Sequence, residues 1–178
     1  MTLNSVIPLR SFSDYFFENI SINALNQIQI ASVCNAKCIF CSNEQNPFEI
    51  KKCEFRSIEE IEKIVWATPP IEGPIILNES LPGRLSEGEA FLHPKLFFIL
   101  KLLRSKFNNV IKITTNGSML NPGFIKDLSE YNPIEVTISF PSVNIQNWKE
   151  VFGFNDEQYY TAVNSFQILN SYKINVIS

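Results

Sequence analysis

Five short apolar runs separated by four segments of helical periodicity restrict this chain more than any other feature. The runs fall at residues 27–32 (QIQIAS), 74–78 (PIILN), 110–114 (VIKIT), 134–139 (IEVTIS) and 173–178 (KINVIS). The first alternates apolar and polar side chains, as a half-buried strand does. Between the runs, Ser57 and Glu60 form a capping-box pair at the head of a segment that puts Ile58, Ile61, Ile64 and Val65 on one face. The dipeptide Pro69-Pro70 stops it. Pro94 at the first helical position opens a second helix to about Phe107, with Leu96, Ile99, Leu100 and Leu103 inward. Asn121 caps a third that opens with Pro122, and residues 156–172 form a fourth carrying Tyr160, Val163 and Phe166. Strand and helix in repeated alternation mean parallel strands joined by crossover helices. A doubly wound sheet and a (β/α) barrel both satisfy that pattern. In either, the loops after the strand C-terminal ends form the functional face.

A chain of 178 residues supports one domain with a sizeable core, and 45% hydrophobic composition makes it globular. It has no linker, internal repeat or low-complexity tract. The longest apolar run, residues 99–103, is broken by Lys101, so no membrane span is expected. A net charge of −3 gives no basic footprint, and nucleic acid is not indicated as a partner, although a local basic groove stays compatible with it.

Three of the four cysteines lie within residues 34–41 (CNAKCIFC), in the loop after the first strand. Burial as small hydrophobes does not account for such clustering. A disulfide framework is a poor fit, because the chain shows no charged-then-apolar leader and four cysteines are sparse for a stapled secreted domain. The expected compartment is therefore the reducing cytoplasm. A metal site remains. Structural zinc normally takes four protein ligands as two pairs, and neither Cys53 nor the single histidine, His93, supplies a second pair. Three thiolates on one loop can instead hold three irons of a cubane cluster and leave the fourth iron open.

The loops after the next three strands read SEGEAFLHP, TTNGSML and SFPSVN. With the C-x3-C-x2-C spacing of Cys34, Cys38 and Cys41, and the aromatic Phe40 before the last cysteine, the sequence resembles the radical S-adenosylmethionine (SAM) superfamily from about residue 26 to residue 178. The resemblance implies an α/β fold, a partial (β/α) TIM-like barrel of the radical SAM type, truncated after the fifth strand. Residues 1–25 would be an N-terminal extension and 26–178 the core. Cys34, Cys38 and Cys41 would ligate a [4Fe-4S] cluster whose open iron chelates SAM. One electron would then break the sulfonium bond, giving methionine and a 5′-deoxyadenosyl radical that abstracts hydrogen from a substrate.

Further roles follow from the same resemblance. Phe40 would lie near the adenine; as a plain aromatic it would be core. The family's Gly-Gly-Glu-Pro stands here as Glu87-Gly88-Glu89-Ala90. Gly88 and Glu89 match it, with Glu89 the partner for the SAM ammonium, whereas Glu87 and Ala90 depart from it. Asn116 would face the cofactor or simply make an Asn-Gly turn. Ser139 would point at the ribose. His93 reads as a structural loop residue, and Cys53 lies outside the cluster motif. Residues 79–84 and 141–148 are the loops expected to decide the substrate, which is a peptide, a nucleoside or a small metabolite.

The expected function is thus a radical SAM enzyme served by a reducing partner such as flavodoxin or ferredoxin. The alternative is a non-catalytic iron–sulfur or zinc-binding module with an incomplete barrel. Because the family usually builds six strand–helix units, a partner chain or a further C-terminal segment is expected to complete the barrel.

Overall fold

A computed structural model of the chain describes residues 26–41, 54–78 and 88–178. The extension at 1–25, the loop at 79–84, Cys53 and Glu87 lie outside the described residues. Five strands form one sheet: β1 (Gln27–Ile28), β2 (Ile75–Leu77), β3 (Ile111–Thr115), β4 (Ile134–Ile138) and β5 (Asn175–Ile177). All neighbouring pairs are parallel and the spatial order is β1-β2-β3-β4-β5. Helix α1 (Ile58–Ala67) links β1 to β2, α2 (Leu96–Lys106) links β2 to β3, and α3 (Pro122–Ser129) links β3 to β4. Two helices, α4 (Ile145–Phe152) and α5 (Asp156–Ser171), link β4 to β5.

That order decides between the two architectures. A doubly wound sheet reverses direction at a switch point, and no reversal occurs here. When every crossover steps the same way with the usual right-handed sense, all helices fall on one face and the sheet is an arc of a (β/α) barrel. The register agrees. Ile28, Leu77, Ile113 and Val136 align across the first four strands and are buried. They share one core with Ile61 and Val65 of α1, Leu100 and Leu103 of α2, Ile125 and Leu128 of α3, and Leu169 of α5. Each such side chain contributes about 1.5–3 kcal/mol on burial. The adjacent layer, Gln27, Ile76, Lys112, Glu135 and Asn175, points to the other face and is polar apart from Ile76, with Lys112 Nζ 2.8 Å from Glu135 Oε1.

Helix starts follow the sequence closely. Ser57 Oγ accepts the Glu60 N–H (3.3 Å) while Glu60 Oε2 accepts the Ser57 N–H (3.2 Å), completing the capping box. Asn121 Oδ1 accepts the Phe124 N–H at 2.9 Å, with Pro122 in the first turn of α3. Two readings change. The helix after Pro94 begins at Leu96, because residues 90–92 form a 3-10 turn that ends at His93. The stretch 141–148 is not a free loop: Asn144 caps α4 through the Gln146 and Asn147 N–H groups, and Trp148 is fully buried.

At the N-terminal edge of the sheet, cations close the frame. Arg104 donates to the carbonyls of Tyr131 (2.8 Å), Asn109 (2.6 Å) and Pro133 (2.6 Å), the residues that lead into β3 and β4. Lys106 Nζ donates to Val65 O (2.6 Å) and Trp66 O (2.9 Å) in the last turn of α1, where a cation opposes the helix dipole. The opposite edge is left to the loops that carry chemistry.

Asn78, just past β2, joins those loops. Its φ is +51°, a left-handed conformation that asparagine tolerates. Its Oδ1 accepts the N–H of Ile30 (2.7 Å) and of Ala31 (3.2 Å), and its Nδ2 donates to Ala31 O (2.6 Å) and Gly88 O (3.2 Å). Asn78→Ala should leave these buried groups unpaired at about 1–3 kcal/mol for each group that water does not reach. We expect a loss of at least ~3 kcal/mol in chemical denaturation, against less than ~0.5 kcal/mol for the exposed Asn164→Ala. A loss below ~1 kcal/mol for Asn78→Ala would show that these bonds are dispensable.

Candidate functional site

The cysteine loop leaves β1 at the C-terminal edge of the sheet and lies across the end of α4. The Lys37 N–H donates to Phe152 O (2.9 Å) and the Ile39 N–H to Val151 O (3.1 Å), while the Cys41 N–H closes a turn onto Cys38 O (3.0 Å). Ala36 is buried in a small core with Trp148, Phe152, Phe154 and Ala162, and Cys34 and Cys38 pack against it. The Trp148 Nε1 is buried there with no hydrogen-bond partner. Gly153, at φ +69°, ends α4 in a left-handed turn where an added Cβ would stand 3.5 Å from Lys37 Cβ. Cys34, Cys38 and Cys41 are not joined in disulfides and are of intermediate exposure.

Residues 88–89 run beside the continuation of β1. The Gly88 N–H donates to Ala31 O (3.0 Å) and the Glu89 N–H to Val33 O (2.8 Å). A Cβ on Gly88 would stand 2.1 Å from Val33 O, so only glycine fits. Glu89 is 3% exposed, with Oε1 accepting the Phe91 N–H (3.2 Å) at the head of the 3-10 turn. Its Oε2 accepts the Asn116 N–H at 2.9 Å. Burial pushes its carboxyl above the usual range, against the downward pull of the Asn116 and Phe91 amides and the Thr115 hydroxyl. Ala90, in the place of the family's proline, is fully buried as the first residue of the 3-10 turn.

Asn116 follows β3 and reaches the cysteine loop. Its Nδ2 donates to Asn35 Oδ1 (2.9 Å) and lies 3.9 Å from Cys34 Sγ, while its Oδ1 accepts the Ser118 N–H (3.0 Å). Asn35 Nδ2 in turn donates to Ser118 Oγ at 2.9 Å. The Ala36 N–H points at Cys34 Sγ from 3.4 Å. Burial pushes the Cys34 thiol up; the Ala36 amide lowers it, the nearby Glu89 and Cys41 raise it, and Asn116 lowers it. The loops after β1, β2 and β3 therefore meet at one thiol.

Other expected residues sit at the rim. Phe40 is 60% exposed and touches only the edge of Phe152 (centroids 6.3 Å apart) among the ring contacts of the described residues, so it is no core aromatic. Ser139 is half-buried, its N–H bonded to Thr115 O (2.8 Å) as β3 and β4 end. His93 is buried, with Nδ1 accepting the Lys95 N–H (3.1 Å) and Nε2 3.1 Å from Arg56 O, a structural role. Asn35, Asn78 and Ser118 were not singled out from sequence. Asn78 had a signal, an asparagine closing an apolar run, but short polar residues in loops are too common to stand out.

The donor set suits an iron–sulfur cluster: three soft thiols on one loop, one of them already facing two N–H groups. Among the described residues no three His, Cys, Asp or Glu side chains converge to hold a single metal ion. A cubane, by contrast, spreads three cysteine ligands over three irons.

Comparison with known proteins agrees with this geometry. The model of the Radical SAM superfamily matches residues 28–176. The FeMo cofactor biosynthesis protein NifB of Methanocaldococcus jannaschii is 25% identical over 151 residues, covering 80% of this chain and 48% of that protein. NifB of Methanocaldococcus infernus is 23% identical over 156 residues, with the same two shares of 80% and 48%. The chain thus spans about half the length of these curated relatives. Native anSMEcpe with bound AdoMet and the Kp18Cys peptide superposes with a TM-score of 0.58 at 19% identity, over 84% of this chain and 41% of that one. TYW1 with a lysine-pyruvate adduct bound superposes with a TM-score of 0.54 at 18% identity, over 92% and 61%. These two likenesses bear on the fold, and both agree with a partial barrel.

Gly88→Ala tests the close approach. The methyl group must push residues 88–89 off the β1 continuation, breaking the pairing with Ala31 and Val33. We expect at least ~3 kcal/mol of destabilisation in denaturant titrations. Gly123→Ala, inside α3 with only a 3.4 Å contact to Asn121 Oδ1, should change stability by no more than ~1 kcal/mol in the stabilising direction. Equal effects at the two glycines would contradict the packing.

Proposed function

The chain belongs to the radical SAM superfamily, and we propose that it is an enzyme of that class, holding a [4Fe-4S] cluster on Cys34, Cys38 and Cys41 and binding SAM beside it. When bound, the cluster supplies one electron to the SAM sulfonium, releasing methionine and a 5′-deoxyadenosyl radical that takes a hydrogen atom from the substrate. The observation that carries this proposal is the meeting of three loops beside Cys34: Asn116 Nδ2 lies 3.9 Å from its Sγ and bonds Asn35 of the cysteine loop, while Glu89 accepts the Asn116 N–H.

The chain's own residues supply binding and orientation. Phe40 offers an exposed ring for the adenine. Glu89 is the candidate for the SAM ammonium: its oxygens accept the Phe91 and Asn116 N–H groups and the Thr115 hydroxyl acts on the same carboxyl, which leaves one lone pair for a further donor. Gly88 holds Glu89 at that depth. Ser139 offers a hydroxyl toward the ribose from the end of β4. A reducing partner such as flavodoxin or ferredoxin would deliver the electron to the open edge of the sheet. A second reading, a cluster-bearing module that does not cleave SAM, is favoured by the 3% exposure of Glu89, whose two oxygens are both engaged within the protein.

Anaerobic reconstitution separates the two. The enzyme should give broad iron–sulfur absorbance and, on reduction with SAM present, 5′-deoxyadenosine; a cluster with no 5′-deoxyadenosine favours the module. Alanine at Cys34, Cys38 or Cys41 should abolish the absorbance, and Cys53→Ala should retain it. Dependence on Cys53 in place of one of the three would overturn the ligand assignment. Glu89→Gln should keep the cluster and weaken SAM binding about ten- to a hundredfold, the loss of one charge-assisted contact. Unchanged binding would remove Glu89 from the SAM site.

A further inference from the structure

We propose that the Asn116 side-chain amide is a positioning donor to the Cys34 thiolate, and that this N–H···S contact raises the reduction potential of the cluster; this rests on the cluster assignment above. The sequence left Asn116 divided between a cofactor contact and a turn residue. Its hydrogen bonds point to a third role. The Oδ1 is fixed by the Ser118 N–H at 3.0 Å, which settles which end of the amide is the donor. One Nδ2 hydrogen goes to Asn35 Oδ1 at 2.9 Å, and the other is left for Cys34 Sγ at 3.9 Å. Asn35 is itself tied to Ser118 (2.9 Å), and the Asn116 backbone N–H is tied to Glu89 Oε2 (2.9 Å), so the amide has little freedom to turn away. Asn116 is 6% exposed, which shields the contact from water.

The electrostatic need is on the same side of the loop. Glu89 Oε2 accepts the Asn116 backbone N–H at 2.9 Å, which places the carboxyl beside the same turn, and its negative charge when ionised disfavours adding an electron to sulfur-bound iron. An amide N–H aimed at the thiolate acts the other way. Reduction puts more negative charge on the sulfurs, so the bond strengthens in the reduced state and the potential rises. With both donor hydrogens committed, Asn116 has none left for SAM.

The test is a redox titration of the reconstituted chain with a low-potential chemical reductant, following the one-electron reduced cluster by its paramagnetic signal. Asn116→Ala should move the midpoint to more negative potential, with a roughly tenfold fall in the reduced-to-oxidised ratio at fixed potential, about 59 mV for one electron. Asn116→Asp keeps the Ser118 turn and the side-chain volume while replacing the donor by an anionic oxygen, and should move the midpoint further the same way. Iron content per chain should match the wild type in both. An intact cluster with an unmoved midpoint overturns this inference alone. A positive shift does so too, since it would report water entering the vacated space. Cluster loss from both variants would make Asn116 an assembly residue and also overturn it. A wild-type chain that takes up no iron would fell the cluster assignment and this inference with it.

Discussion

Everything at this site depends on two backbone segments lying closer together than a side chain permits. Residues 88–89 pair with the carbonyls of Ala31 and Val33, and any Cβ on Gly88 would collide with Val33 O. That contact fixes where Glu89 stands, and Glu89 then fixes the turn after β3 by accepting the Asn116 N–H. Asn116 in turn fixes Asn35 in the cysteine loop. Each link is a hydrogen bond to a buried or half-buried group, where losing a partner costs more than gaining one yields. Asn78 clamps the same two segments from the β2 side. The three loops are thereby held as a unit, although short helices and turns separate them in the chain.

The charge distribution is unusual for a surface loop cluster. A carboxyl whose two oxygens each accept an N–H shares with the Cys34 thiol a place that burial makes unfavourable for anions. Among the described residues the protein answers with N–H groups, those of Ala36, Phe91 and Asn116. Fixed dipoles of that kind stabilise negative charge only partly. Where those dipoles fall short, burial favours the protonated forms of Glu89 and Cys34. Two cations, Arg104 and Lys106, are at the other edge of the sheet and bond to carbonyls. One edge is built for stability and the other for binding, the division expected of parallel barrels.

Much of this was legible in the residues. The strand runs, the capping box at Ser57, the Asn121-Pro122 start and the positions of the cysteine, Glu89 and Asn116 loops at one edge all follow from period and cap chemistry. What was missed has identifiable causes. Helix α4 hides behind Pro141, Ser142 and Asn144, which read as turn residues, yet Asn144 is its cap and Gly153 its stop, with Trp148 and Phe152 four apart on its buried face. Its role was unreadable because its last carbonyls serve the cysteine loop more than a hundred residues earlier in the chain. The Asn35–Asn116–Ser118 network was unreadable for a similar reason: hydrogen bonds between distant loops leave no periodicity. The choice between a doubly wound sheet and a barrel lay beyond local pattern as well, since only strand order distinguishes them.

Strand order also explains why the polar site residues fall where they do. With all helices on one side, only one face of the sheet must be apolar, and the alternating burial of β3 and β4 follows. Lys112 and Thr114 on β3, and Glu135 and Thr137 on β4, point to the other face, in matched pairs across the sheet. The same period of two, carried one step past each strand, reaches Asn116 and Ser139. The lumen side of the arc thus runs from an ion pair, through paired threonines, to the amide and hydroxyl at the binding edge. A polar lumen would be costly in a closed, fully packed barrel core. It suits an arc whose inner face meets polar ligands, and it makes the residues after β3 and β4 an extension of the sheet's own register, held more rigidly than a free loop would hold them.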